Sequence, residues 1–165
     1  MISETDAVEI ITDAERHGIS VFLDGGWGVD ALLGRQTREH NDIDLFIEKS
    51  KGEEFIAILK EKGFQEIRKD YTTPAHTVWQ DAGERVVDLH LYEPDENGTF
   101  RFEGNSYPAE TFSAVGRIAG REVRCIPPRE QLLFHCGYEW DENDAHDVRW
   151  LCEHFGLPVP EEYRK

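Results

Sequence analysis

Long apolar runs are missing from this 165-residue chain. No stretch reaches the roughly 18 consecutive apolar residues that a membrane-spanning helix needs. The opening residues MISETDAVEI are acidic and lack the basic start and apolar centre of a secretion signal, so a cytoplasmic location is expected, with no membrane partner. Basic residues are scarce as well: 18 Lys and Arg face 34 Asp and Glu, a formal net charge of −16. That balance makes nucleic acid an unfavourable partner and suits a cationic partner or a metal ion. Cys125, Cys136 and Cys152 are odd in number and share no close metal-ligand spacing, so free thiols are expected rather than disulfides or a zinc site. Internal repeats and low-complexity tracts are absent too, and the length suits one domain with a core of its own.

What is present alternates between helical and extended patterns. Ala7, Val8, Ile10, Ile11 and Ala14 form a helical face over residues 4–17, closed by Gly18. SVFLD (20–24) reads as a short strand. After Gly25 and Gly26, Val29, Leu32 and Leu33 recur at helical spacing until Gly34. DIDLFIE (42–48) is the next strand, followed by an amphipathic helix in EEFIAILKEKG (53–63). FQEIRKD (64–70), HTVWQD (76–81) and RVVDLHLY (85–92) read as successive strands, the last two joined by DAGE as a hairpin. PDENGT (94–99) is a turn cluster and GREVRCI (120–126) one more strand. The chain closes with two helices, 128–140, opened by Pro128, and 142–155. Strands and helices followed by a helical tail give an α+β class, with residues 1–125 as the sheet-bearing domain and 126–165 as a helical region packed on it.

Two aspartates interrupt the apolar run DIDLFIE. If extension starts near Arg38, alternation puts Arg38, His40, Asp42 and Asp44 on one face and Ile43, Leu45 and Ile47 on the other. Two carboxylates about 7 Å apart along a strand of ~3.3 Å rise can converge on two divalent cations roughly 3.5–4 Å apart. Upstream, DGGWGVD sets two glycines where a strand gives way to a helix, a turn that lets backbone N–H groups approach a phosphate. Asp88 supplies a third carboxylate: Val87, Leu89 and Leu91 form one face of its strand, and Asp88 and His90 share the other. Alone, a D-x-D pair is more often a solvated strand face and a Gly-Gly pair a simple turn. Together they point to a phosphate and metal site.

On GGW, R-x-H-x-D-I-D-L and the later strand aspartate, the chain resembles the nucleotidyltransferase superfamily with the DNA polymerase β type of fold. FLDGGWGVDALLG, REHNDIDLFI, VVDLHLY and CIPPREQLLFHCGYE resemble, more narrowly, the small lincosamide nucleotidyltransferases of the LinA type. The related aminoglycoside 2''-nucleotidyltransferases share the first two motifs and a segment like IAGREVRC. The likeness spans most of residues 20–150. It implies a mixed, twisted sheet flanked by helices, with a C-terminal helical region. Gly25, Gly26, Arg38 and His40 would border the triphosphate, and Asp42 and Asp44 would be the metal-binding pair. Asp88 would be a third metal ligand, the base that activates the acceptor hydroxyl, or both.

The implied cofactor is Mg²⁺, as two ions, with ATP as co-substrate. Mg²⁺ is a hard cation that combines one or two carboxylates with phosphate oxygens and water, which suits such a site. The implied reaction moves AMP to a hydroxyl of a small cationic antibiotic, a lincosamide ahead of an aminoglycoside. Adenylylation of a protein or a tRNA end, and a nucleotide-binding module without activity, are the other readings. Tyr92, Tyr107, His135 and Tyr138 are candidates to line an acceptor cleft, the last two as neighbours on one helix. Trp27 reads as packing beneath the glycine turn. Asp144, His146 and Asp147 read as the acidic start of a helix rather than a metal triplet. Pairing of two chains into a homodimer that completes a cleft is compatible with the sequence.

Overall fold

The computed structural model describes residues 1–164. Its helices are α1 (Glu4–Arg16), α2 (Gly25–Leu33), α3 (Gly52–Glu61), α4 (Pro128–Phe134) and α5 (Glu142–Phe155). Its strands are β1 (Phe22–Asp24), β2 (Asp42–Glu48), β3 (Gln65–Ile67), β4 (His76–Gln80), β5 (Val86–Pro94), β6 (Phe100–Phe102), β7 (Asn105–Tyr107), β8 (Ala114–Ile118) and β9 (Arg121–Cys125). None of the described helices is long and apolar enough to cross a membrane.

Local chemistry sets the helix boundaries. Ser3 and Asp6 form a reciprocal capping box at α1, and Asp141 and Asp144 form another at α5, each satisfying N–H groups that the first turn leaves unpaired. Gly34 closes α2 in a left-handed conformation at φ 71°. The main sheet runs β3-β4-β5-β2-β1-β9-β8. The β2–β5 and β1–β9 pairs are parallel and the others antiparallel, so the sheet is mixed, as expected. One sheet face carries Leu23, Ile43, Leu45, Ile47, Val87 and Leu89 into a core shared with Ile10 and Ile11 of α1 and Phe55 and Leu59 of α3. At the C-terminal end, Leu132 of α4 and Val148 and Leu151 of α5 pack with Val29 of α2.

Four differences from the sequence reading have physical causes. Extension begins at Asp42, not near Arg38, because Asp30 organises residues 35–41 as a loop. Its carboxylate accepts from the Thr37 N–H at 3.0 Å and the Thr37 hydroxyl at 2.5 Å. The first helix of the tail ends at Phe134 rather than 140, with His135 as its C-cap and Gly137 at φ 88° beyond it. His135 and Tyr138 therefore do not share a helix face. The β6–β7 and β8–β9 hairpins were unread because their turns use Glu103-Gly104 and Ala119-Gly120, with all four residues at positive φ. Glutamate and alanine are poor advertisements for a turn that usually takes Asn-Gly or Asp-Gly. Finally, β1 starts at Phe22, two residues later than expected.

β8 seats α2 closely: a Cβ on Gly116 would collide with the Ala31 carbonyl. Backbone cannot swing aside as a side-chain tip can, so Gly116→Ala should destabilise the fold by about 1–3 kcal/mol. Urea unfolding of the two proteins measures this, and equal midpoints would show that α2 rides more loosely on β8.

Candidate active site

The pairing registers place Asp24 opposite Asp44, and Asp44 opposite Asp88. Paired residues project to the same side, so three carboxylates form one row across β1, β2 and β5. Asp42 lies two residues earlier on that face. The next row is Phe22, Phe46 and His90, where the surface turns aromatic. Phe46 and Phe22 pack there with Phe112, Tyr92 and Ile126. The second face of the sheet is thus split into a carboxylate half and an aromatic half.

The glycine turn fits over the row. A Cβ on Gly25, whose φ is +59°, would strike the Asp44 carboxylate, and one on Gly26 would strike Arg38 and His40. Both glycines are therefore demanded by close approach. Trp27 is 1 % exposed beneath the turn, its ring 4.5 Å from that of His40, as the sequence reading placed it. His40 Nε2 lies 2.6 Å from Asp30 Oδ2, both buried, which pins the loop to α2. Arg38 instead reaches the cleft wall. Its Nε and Nη2 donate to the two oxygens of Asp147 at 2.9 and 2.7 Å.

The resulting cleft, about 390 Å³, is lined on the strand side by Asp24, Gly25, Gly26, Asp42 and Asp44. His135, Tyr138, Asp141, Asp144 and Asp147 form the facing wall. The Tyr138 hydroxyl donates to Asp144 at 2.8 Å. Tyr107 meets Phe134, another lining residue, edge-on at 5.4 Å. Tyr92 is not brought to the cleft; it is 5 % exposed within the aromatic cluster. A larger groove, about 680 Å³, follows α5 past Trp140, Val148 and Tyr163 and contains none of the strand carboxylates.

Sequence reasoning missed Asp24 and Asp147. Asp24 had a signal, since it ends a strand directly before the glycines and alternates with Phe22. Asp147 had one too: with Asp144 it continues the stripe of Val148, Leu151 and Phe155, and an acid on a buried stripe needs a partner.

Comparison with known proteins then places the chain. The family model for aminoglycoside-2''-adenylyltransferases matches residues 6–151. A lincosamide resistance protein of Staphylococcus haemolyticus is 30 % identical over 155 residues, covering 91 % of this chain and 94 % of the relative. The chain belongs to the aminoglycoside-2''-adenylyltransferase family. A 2''-aminoglycoside nucleotidyltransferase of Escherichia coli is 31 % identical over 149 residues, covering 88 % of this chain and 78 % of the relative. Among solved structures, the lincomycin-bound lincosamide antibiotic adenylyltransferase LnuA superposes with a TM-score of 0.80 at 29 % identity, over 91 % of this chain and 96 % of that one. ANT(2'')-Ia in complex with adenylyl-2''-tobramycin shares the fold, with a TM-score of 0.75 at 23 % identity over 93 % of this chain and 89 % of that one.

As a member of this adenylyltransferase family the chain is an enzyme, a nucleotidyltransferase, and the family works with a nucleoside triphosphate and a divalent metal. The site's electrostatics fit such a cation. Burial pushes the Asp44 carboxyl well above its usual range, and the charges of Asp42, Asp88 and Asp24 push it further. Loss of water in the cleft, then the charge of Asp88, raises Asp42. Arg38 is the nearby counter-charge, and Asp147 already engages it. Asp147 is the reverse case: burial raises it, but hydrogen bonds and charge from Arg38 and His135 outweigh burial and hold it low. His135 Nε2 is 3.6 Å from Asp147.

These opposite shifts predict opposite mutational effects in metal-free protein. A raised folded-state pKa means stability is fully present below about pH 4 and is lost as pH rises through the higher folded value. A lowered one means stability is present above about pH 4 and is lost as pH falls through the lower folded value. At pH 7, Asp44→Asn should therefore raise the thermal midpoint by about 2–4 °C, the response of a domain this size to 1 kcal/mol. Asp147→Asn should lower it by at least as much. Melting curves at pH 4 and pH 7 with a chelator present check both, and a fall for Asp44→Asn would show that its carboxylate is stabilised rather than strained.

Proposed function

We propose that this enzyme transfers AMP from ATP to a hydroxyl of a lincosamide antibiotic. The observation that carries this reading is likeness: the lincomycin-bound adenylyltransferase superposes with a TM-score of 0.80 at 29 % identity, against 0.75 at 23 % for the tobramycin complex. An aminoglycoside is the second reading, favoured by the anionic facing wall of Asp141, Asp144 and Asp147, which suits a polycation.

Asp42 and Asp44 would hold Mg²⁺, as two ions with Asp88 as a further ligand. Bound there, the cation supplies charge neutralisation for the transferring phosphoryl group and acidifies the attacking hydroxyl. The chain's own groups do the rest. Gly25 and Gly26 leave the start of α2 bare of side chains, so its N–H groups can meet phosphate oxygens. Arg38 spends three of its five N–H donors on Asp147 and the Glu39 carbonyl, and two remain for phosphate. Asp88 accepts the proton of the acceptor hydroxyl as its oxygen attacks the α-phosphorus in line and pyrophosphate leaves. His135 and Tyr138 of the facing wall would meet the acceptor, with Tyr107 supporting Phe134 from behind.

Purified protein with ATP and Mg²⁺ is incubated with lincomycin, clindamycin, kanamycin, gentamicin and tobramycin, and products are weighed by mass spectrometry. AMP addition to lincosamides is the expected result. Addition to aminoglycosides alone would exchange the acceptor, and addition to none would return a protein or tRNA end to first place.

Asp42→Asn and Asp44→Asn should each abolish transfer without unfolding the chain. Asp88→Asn should cut kcat by about 10²–10⁴ while ATP binding persists. Equal losses of ATP affinity and rate would make Asp88 a metal ligand only.

A further inference from the structure

We propose that His76, Asp88 and His90 form a binding site for a transition-metal cation of the Zn²⁺ class, and that filling it withdraws Asp88 from nucleotidyl transfer. The second half rests on the role of Asp88 given above; the first does not.

The sheet register builds the cluster. His76 of β4 pairs directly with His90 of β5, and Asp88 precedes His90 by two residues on the same face. One ligand atom from each of the three lies within 4.8 Å of the others. His76 Nε2 is 2.6 Å from Asp88 Oδ1, and His90 Nε2 is 3.7 Å from the same oxygen. Ligands at 2.0–2.1 Å around tetrahedral zinc sit about 3.3 Å apart. Replacing the proton between His76 and Asp88 by a cation therefore opens that pair by about 0.7 Å and closes the His90–Asp88 pair by about 0.4 Å, and His76 and Asp88 are only partly buried.

The outer contacts orient the rings. His90 Nδ1 lies 3.3 Å from the Leu45 carbonyl, a hydrogen bond that places the proton on Nδ1 and leaves the Nε2 lone pair towards Asp88. His76 Nδ1 faces Glu103 Oε1 at 3.9 Å, again leaving Nε2 on the Asp88 side. The ring of Tyr71 stands 4.9 Å from His76, and those of Phe46 and Phe102 stand 4.8 and 5.3 Å from His90. These rings wall the cluster on its aromatic side, and His76 and Asp88 keep an open edge towards solvent.

Two imidazoles and one carboxylate are a poor set for Mg²⁺, which takes oxygen ligands, and a good one for Zn²⁺, Co²⁺ or Ni²⁺. Three protein ligands also leave a fourth position for water.

Co²⁺ is the probe, because its visible absorption reports nitrogen ligands. Full-length protein is titrated with Co²⁺ in millimolar Mg²⁺ without nucleotide. One equivalent should bind, and His76→Gln and His90→Gln should each weaken it by at least about tenfold. His154→Gln should not. Circular dichroism confirms folding; should buried His90→Gln fail to fold, His76→Gln decides alone. An unchanged Co²⁺ signal in folded His76→Gln, or no binding below millimolar, overturns the site. Zn²⁺ in excess Mg²⁺ should also inhibit AMP transfer at micromolar concentration, with the midpoint at least tenfold higher in His76→Gln, each protein being compared with its own uninhibited rate. Binding without inhibition would leave the metal site standing and overturn the part given to Asp88 in the reaction.

Discussion

Three adjacent strands hold Asp24, Asp44 and Asp88 in one register, so like charges stand about 5 Å apart across a backbone that cannot spread. Slippage by one residue would relieve the repulsion, but it would also turn Ile43, Leu45 and Ile47 out of the core. The apolar face thus enforces the unfavourable polar one. This constraint also explains the glycines. The carboxylate of Asp44 occupies the space a side chain at position 25 would need, so α2 can start directly over the row only if its first residue has no Cβ.

The aromatic half of the same face is the second support. Phe22 and Phe46 sit in the row beside Asp24 and Asp44, backed by Tyr92 further along β5, and Phe112 closes over them, its ring 4.8 Å from that of Phe22 and 5.2 Å from that of Phe46. Rings of this size bury large apolar areas. They anchor the strands one step beyond the point where charge would push them apart. The polar end is braced from the other side by Asp147, which reaches from α5 to hold Arg38 at the cleft. Loss of that brace would free the guanidinium to move onto the row and neutralise it, which would compete with a bound cation.

What the sequence disclosed was what period-two spacing and local turn chemistry encode. Asp42 and Asp44 alternate with Ile43 and Leu45 on one strand, Asp88 alternates with Val87 and Leu89 on another, and Gly25-Gly26 marks a strand-to-helix turn; each can be read within seven residues. The alignment of Asp24 with Asp44 depends on the register between two strands separated by α2, and the bond from Arg38 to Asp147 spans 109 residues. Neither leaves a local trace. His40 was assigned to a strand face by alternation, but Asp30, ten residues away on α2, fixes the loop instead. The two short hairpins were hidden by turn residues that tolerate positive φ without favouring it.

Asp88 stands where two kinds of chemistry meet. On the side of β2 its neighbours are carboxylates, and a hard cation completed by phosphate oxygens suits them. On the side of β4 its neighbours are imidazoles, whose nitrogen donors favour softer cations. Zinc outranks hard, oxygen-preferring cations at nitrogen-bearing sites, so a cleft of carboxylates favours the hard cation only where oxygen is the sole donor. His76 and His90 remove that protection from one of the strand carboxylates. The hydrogen bond from His76 fixes the Asp88 carboxylate, with the His90 ring packed beside His76; in the reaction proposed above, such neighbours would present that carboxylate rigidly to the acceptor hydroxyl. The same side chains that orient Asp88 therefore supply the nitrogen ligands through which a competing metal can reach it.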